Sequence, residues 1–221
     1  MANFVANVLH MEGIADLPIY SEGENGKRTL DFNKIIPMPD SLNIEAGSQE
    51  NEALDALMEA IKSYRATRTP IIGRSNEPFG MEPDPKKLAE LGLRYAGNVI
   101  RHGMSTWYDW RRRFWGTKWN AMNFKTEDAD TVRFDTAWTP PLPVIEKLAE
   151  MFPGKEIELT WADEGIGSNT GHLVIGENGE EVEFVEYEDN SQQAYEACVL
   201  CWQDVEELEK VDGLWRLAET E

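Results

Sequence analysis

The chain has 221 residues, of which 41% are hydrophobic and 28% charged, and its formal net charge is -20. This is the composition of a globular protein long enough to bury a substantial core, and no stretch approaches the roughly 18 apolar residues a membrane span requires. So acidic a chain repels a phosphate backbone over most of its surface, which disfavours nucleic acid as a partner.

Residues 1–7 have neither a basic segment nor a continuous apolar run, so no secretory signal is read and a cytoplasmic protein is expected. Residues 3–12 place Phe4, Ala6 and Val8 on one face and Val5, Leu9 and Met11 on the other, the pattern of a central strand covered on both sides. Residues 14–39 are punctuated by Pro18, Gly23 and Gly26 and end in LDFNKIIPMP, where two close prolines forbid helix continuation. That segment reads as an ordered loop with at most an edge strand before Pro37. Leu54, Leu57, Met58, Ile61 and Tyr64 then recur at helical spacing among charged residues, an amphipathic helix. Residues 67–85 hold four prolines and two glycines and read as an extended loop, the place for any boundary between subdomains. Leu88, Leu91, Tyr95 and Val99 give a second helix, interrupted or ended around Gly97 and Gly103. A third starts near Ser105 or Thr106 and stops at Gly116.

From there the chain becomes mainly β. TVRFDTAW alternates Val132, Phe134, Thr136 and Trp138 against Arg133, Asp135 and Ala137, the period of a half-buried strand. Pro140, Pro141 and Pro143 open a helix that carries Val144, Ile145, Leu148, Met151 and Phe152 inward and ends before Pro153-Gly154. EIELTWADEG alternates again with Ile157, Leu159 and Trp161 inward, and Asn178-Gly179 marks a hairpin turn. The apolar phase slips between Val182/Phe184 and Val185/Tyr187, which predicts a bulge. A last acidic helix is expected over residues 191–211. The order is that of an α+β fold, a largely antiparallel sheet covered by helices, in one domain of residues 1–221 with a helical insertion at about 48–116.

The runs MANFVANVLHMEG, LDFNKIIPMPDSLN, WYDWRRRFWGTKWNA and FDTAWTPPLPVIEKLAEMFPGKEIELTWADEG resemble, in that order, the YubB-type family of phage- and plasmid-borne proteins with a ferredoxin-like domain. The resemblance implies a ferredoxin-like sheet and a mobile-element setting, and it transfers no catalytic residue. Many members carry a helix directly after the first strand. Here residues 14–30 look like loop with a short strand at most, so the helix of Leu54 and Tyr64 is expected to supply the crossover.

Charge is unevenly spread. Residues 177–221 hold fifteen acids against Lys210 and Arg216, a net -13, whereas residues 94–119 hold six bases against Asp109, a net +5. The basic stretch includes WYDWRRRFWGTKWN, with four of the eight tryptophans. Trp107, Arg111, Trp115 and Lys118 would form a stacking and phosphate-binding patch for single-stranded nucleic acid. The structural account is favoured: Trp110, Phe114 and Trp119 grip the sheet while arginine stems cover the rings.

No cofactor or metal motif is present in the sequence. GIGSNTG precedes a strand, so no helix dipole backs it and it reads as a turn. His10, His102 and His172 are scattered, and Asp163-Glu164 would supply paired carboxylates to an enzyme but sit at a strand end before Gly165, where exposed acids are ordinary. Cys198 and Cys201 fall on an apolar stripe with Ala194, Val205 and Leu208 and read as core thiols. These features predict a protein that acts by binding, an acidic inhibitor or modulator. Glu181, Glu183, Glu186 and Glu188 would meet a host protein, one with a basic nucleic-acid groove, against the alternative that they form a solvated face.

Overall fold

The computed structural model describes residues 3–22, 26–47, 49–67 and 84–218. They form two compact units, Met1–Pro37 with Arg111–Glu221, and Met38–Trp110. The first unit opens with β1 (Phe4–His10), β2 (Tyr20–Glu22), β3 (Arg28–Leu30) and a single helical turn, α1 (Phe32–Ile35). The second holds α2 (Gln49–Thr67) and α3 (Pro85–His102), and α4 (Trp107–Phe114) runs across the junction in sequence. The first unit resumes with β4 (Met122–Thr126), β5 (Thr131–Ala137), α5 (Leu142–Met151), β6 (Ile157–Asp163), β7 (Gly171–Ile175), β8 (Glu181–Glu186), α6 (Gln192–Trp202), β9 (Leu208–Val211) and β10 (Leu214–Leu217).

Six strands form one antiparallel sheet in the order β4-β5-β1-β6-β7-β8. As its pattern requires, β1 is central, with Asn7 opposite Phe134 on one side and Trp161 on the other. Strands β5 and β6 both run antiparallel to β1, hence parallel to each other, and α5 connects them. This split β-α-β unit is the ferredoxin-like arrangement. It corrects the expectation for the Leu54–Tyr64 stretch: the crossover is α5, whereas that stretch lies in α2 of the second unit. β1 and β5 adjoin directly and antiparallel, so their connection needs no crossing.

Alternation assigns the faces. Ala6, Val8 and Ala162 pack against Tyr195, Cys198 and Cys201 of α6. Val5, Leu9, Ile157, Leu159 and Trp161 point the other way and are buried, as are Val144, Ile145 and Leu148 of α5. Phe32 of α1 meets Phe134 and Trp115 edge-on at 6.0 and 5.8 Å. Each such fully buried side chain contributes roughly 1.5–3 kcal/mol.

Two further expectations are corrected. Residues 14–35 hold more than a loop with one edge strand: β2 and β3 pair as a hairpin, and Asp31 caps α1 by accepting from the Asn33 amide at 3.0 Å. The short helix ends before the first of the two prolines, which fits their inability to continue it. The last helix stops at Trp202, and β9 and β10 follow as a hairpin whose turn residues Asp212 and Gly213 have φ of 52° and 84°. The expected bulge is present in β8, at Val182, where Val174 pairs Glu183 but Ile175 pairs Glu181.

In the second unit α3 runs through Gly97 and ends at Gly103, whose φ is 74°. Ile44, Ala53 and Tyr95 form its buried centre. Gly92 lies so close to α2 that a Cβ there would overlap the Ala53 carbonyl, and Asn98 donates to the carbonyls of Ser41 and Ser105 at 2.7 and 2.9 Å. The expected loop at 67–85 lies almost wholly outside the described residues.

Candidate functional site

The acidic surface is built on β8, an edge strand bonded only to β7 within the sheet. Glu181, Glu183, Glu186 and, beyond the strand, Glu188 are all exposed. Pairing with β7 divides them. Glu181 and Glu186 stand opposite Ile175 and Gly171, on the face of Phe184, while Glu183 stands opposite Val174 on the α6 face. The three strand acids therefore line the rim of the sheet from both sides and do not share one face, and Glu188 follows beyond the strand. Val182 and Phe184 are exposed among them, at 67% and 42%, with Phe184 stacked on Trp161 at 6.0 Å. The acids of the C-terminal hairpin are held beside α6 by Gln192, which donates to the Trp215 carbonyl at 2.7 Å and accepts from its amide at 2.8 Å.

The tryptophan and arginine block resolves differently from either sequence account. Trp110 is buried, as expected, but the deepest ring is Trp115, 1% exposed. Its indole Nε1 donates to the Ile36 carbonyl at 2.9 Å. Phe114 is instead 37% exposed and Trp119 half-buried, so the expectation that both would be buried is corrected. The Trp115 amide still bonds the Arg111 carbonyl at 2.7 Å, so Trp115 keeps the helical register one residue past Phe114 and packs against Phe32, before Gly116, φ 77°, ends the helix. Of the four residues of the nucleic-acid patch, Trp115 thus offers no ring face to a base. Arg111 lies over that ring at 4.7 Å, and its burial lowers its pKa. Lys118 sits 4.7 and 4.9 Å from the Trp119 and Trp138 rings, and Trp107 is half-buried with its ring against Tyr108.

Residues 114–215 match the family model described as the ferredoxin-like domain in Api92-like protein. The match spans β4 to the hairpin after α6, and β1 from the start of the chain supplies the central strand of that sheet. The crystal structure of protein api92 from Yersinia pseudotuberculosis is similar at 13% identity, covering 86% of this chain and 100% of that one, with a TM-score of 0.40. No curated protein matches the chain.

The remaining sequence candidates are separated in space. His10, His102 and His172 each meet a different hydroxyl, of Thr131, Ser41 and Thr160, at 3.0–3.1 Å. Asp163 is buried and accepts from the Gly165 amide at 2.8 Å, from Asn169 at 3.3 Å and from Asn3 at 3.4 Å, so it fastens the GIGSNTG turn. Cys198 and Cys201 are buried free thiols; burial raises both, Cys201 to about 12. No group of three or more metal-ligating side chains occurs among the described residues, and no described helix is long and apolar enough to cross a membrane.

Beyond the end of α6 the same sheet face opens into a cleft of about 1030 Å³, with Asp135 and Met122 on its floor and Gln203, Arg28 and Lys125 around it. Asp135 accepts from the Asn123 side chain at 2.7 Å. Burial raises the pKa of Asp135, with the Asn123 bond and the nearby Lys125 charge acting against it. The alternation of TVRFDTAW already put an acid in mid-strand on the face opposite Phe134. That was the available signal.

Proposed function

We propose that this is a binding protein, an acidic modulator or inhibitor that acts in the cytoplasm of a host cell within a phage or plasmid setting. Its partner is a host protein with a basic groove of the kind that holds nucleic acid. The observation that carries this reading is the exposed edge of β8, where Glu181, Glu183 and Glu186 surround the uncovered side chains of Val182 and Phe184. Carboxylates on both sides of a rim suit a groove that closes around it, with the apolar pair supplying contact area at the centre. The charge of the last fifth of the chain, -13, reinforces the attraction and speeds encounter. Edge glutamates also guard a strand against pairing with other sheets, and the test separates that role.

Tagged protein is incubated with host lysate, in parallel with a variant carrying Glu181→Gln, Glu183→Gln, Glu186→Gln and Glu188→Gln. The reading expects recovery of a basic, nucleic-acid-binding protein by the native chain alone. Equal recovery by the variant contradicts it, and a variant that merely self-associates shows the acids to be edge protection.

A further inference from the structure

We propose that the cleft over β4 and β5 binds a single nucleotide whose base carries an amino group, with the base against Asp135 and the phosphate at Lys125 and Lys27. The inference is independent of the acidic edge, since β8 lies at the other end of the sheet.

The floor comes from strand register. Asp135 pairs Ala6 on one side and Met122 on the other, so its side chain rises on the α6 face. α6 ends at Trp202 and leaves this end of the face open. The neighbouring cation on β5 is already engaged: Arg133 donates to the Leu200 and Cys201 carbonyls at the end of α6 and pairs with Glu127 at 2.9 Å. Asn123 is the one side chain among the described residues that donates to Asp135, and no cation lies within ion-pair distance of it. A half-buried carboxylate with spare acceptor capacity favours a ligand that brings donors.

The walls indicate a flat ligand. Half-buried Trp119, Phe124 and Trp202 line the cleft, and aromatic faces hold nucleobases by stacking. The rim carries Lys27, Arg28 and Lys125 against Glu22. A long polyanion meets the whole -20 chain, whereas one nucleotide meets chiefly this local field, because charges beyond about 8 Å are screened at physiological salt.

Backbone strain points to the same place. Asn123 has φ 48° where the β4 register breaks, and Gln203 has φ 66° and ψ -58° in a three-residue turn closed by the Asp204 amide on the Trp202 carbonyl at 2.9 Å. Two of the six non-glycine residues with positive φ thus border the cleft, and of these Gln203 is the strained one, since asparagine adopts positive φ readily.

The test is titration of the full chain with CMP, AMP, GMP and UMP, read by quenching of tryptophan fluorescence and by calorimetry, with ribose 5-phosphate as the base-free control. UMP flanks its ring donor with two carbonyls, which a carboxylate repels. The expected result is binding of at least one amino-bearing nucleotide about tenfold tighter than UMP or ribose 5-phosphate, the scale of a single good base-edge contact. Asp135→Asn should abolish that preference while melting no lower than the native chain, and Lys125→Ala should weaken all the phosphates alike. Equal affinity for every probe, no binding at millimolar concentration, or a preference that survives Asp135→Asn overturns the proposal.

Discussion

The Trp115 indole donates to the carbonyl of Ile36 across 2.9 Å, tying the residue that follows α4 to the end of the segment that follows β3. The ring itself packs edge-on to Phe32. One side chain therefore fixes two chain segments that are distant in sequence.

Replacing Trp115 with alanine should destabilise the protein by about 3–5 kcal/mol, the range for removing a buried aromatic. Trp115→Phe should lose less, because it keeps apolar contact but leaves the Ile36 carbonyl without its donor. Urea unfolding measures both. Equal stability of Trp115→Ala and the native chain would return this ring to the surface and revive a stacking role.

Gly92→Ala should loosen the α2–α3 pair, since the added methyl collides with the Ala53 carbonyl and the helices have to separate. An overpacking cost of about 1–3 kcal/mol is expected, seen as a lower melting transition by circular dichroism. An unchanged transition would place the two backbones farther apart than described.

How far the sequence discloses this fold depends on whether a signal is local. The period-two alternation of β1, β5 and β6 shows directly, because strand faces repeat every second residue. The core role of Cys198 and Cys201 shows as helical spacing, even though Val205 and Leu208 lie past the helix and reach the same cluster through the turn. The β9–β10 hairpin was legible in Asp212-Gly213, but the run of acids disguised it as helix. Which ring lies deepest is not legible, because the partners of Trp115, Phe32 and the Ile36 carbonyl, are distant in sequence. The cleft was hidden for a different reason: its walls come from β2–β3, β4, β5 and the end of α6, and only tertiary pairing brings these together.

The cysteines supply a pH prediction. An acid whose pKa is raised on folding favours the native state while both forms are protonated, and loses that contribution once the unfolded state ionises. Unfolded thiols ionise near 8.5, whereas Cys201 is held to about 12. Stability should therefore fall as pH rises above about 8.5, and Cys201→Ala should flatten that fall. Denaturation midpoints between neutral and alkaline pH check it; parallel slopes for the two proteins would contradict burial of this thiol.

Gln203→Gly should raise stability by up to about 1 kcal/mol, because glycine adopts positive φ without the strain that a side chain incurs, less its larger entropy in the unfolded chain. A chemical denaturation midpoint lower than that of the native chain would show that the turn is unstrained or that the glutamine side chain holds it.

The central claim is that the acidic rim of β8 engages a basic protein groove, and its most direct measurement is the salt dependence of affinity for the partner recovered from lysate. Affinity of the native chain should drop steeply as salt rises, and the variant with glutamine at Glu181, Glu183, Glu186 and Glu188 should bind more weakly with a flatter slope. Identical affinity and slope for the two proteins would contradict the claim and leave these carboxylates as a solvated edge.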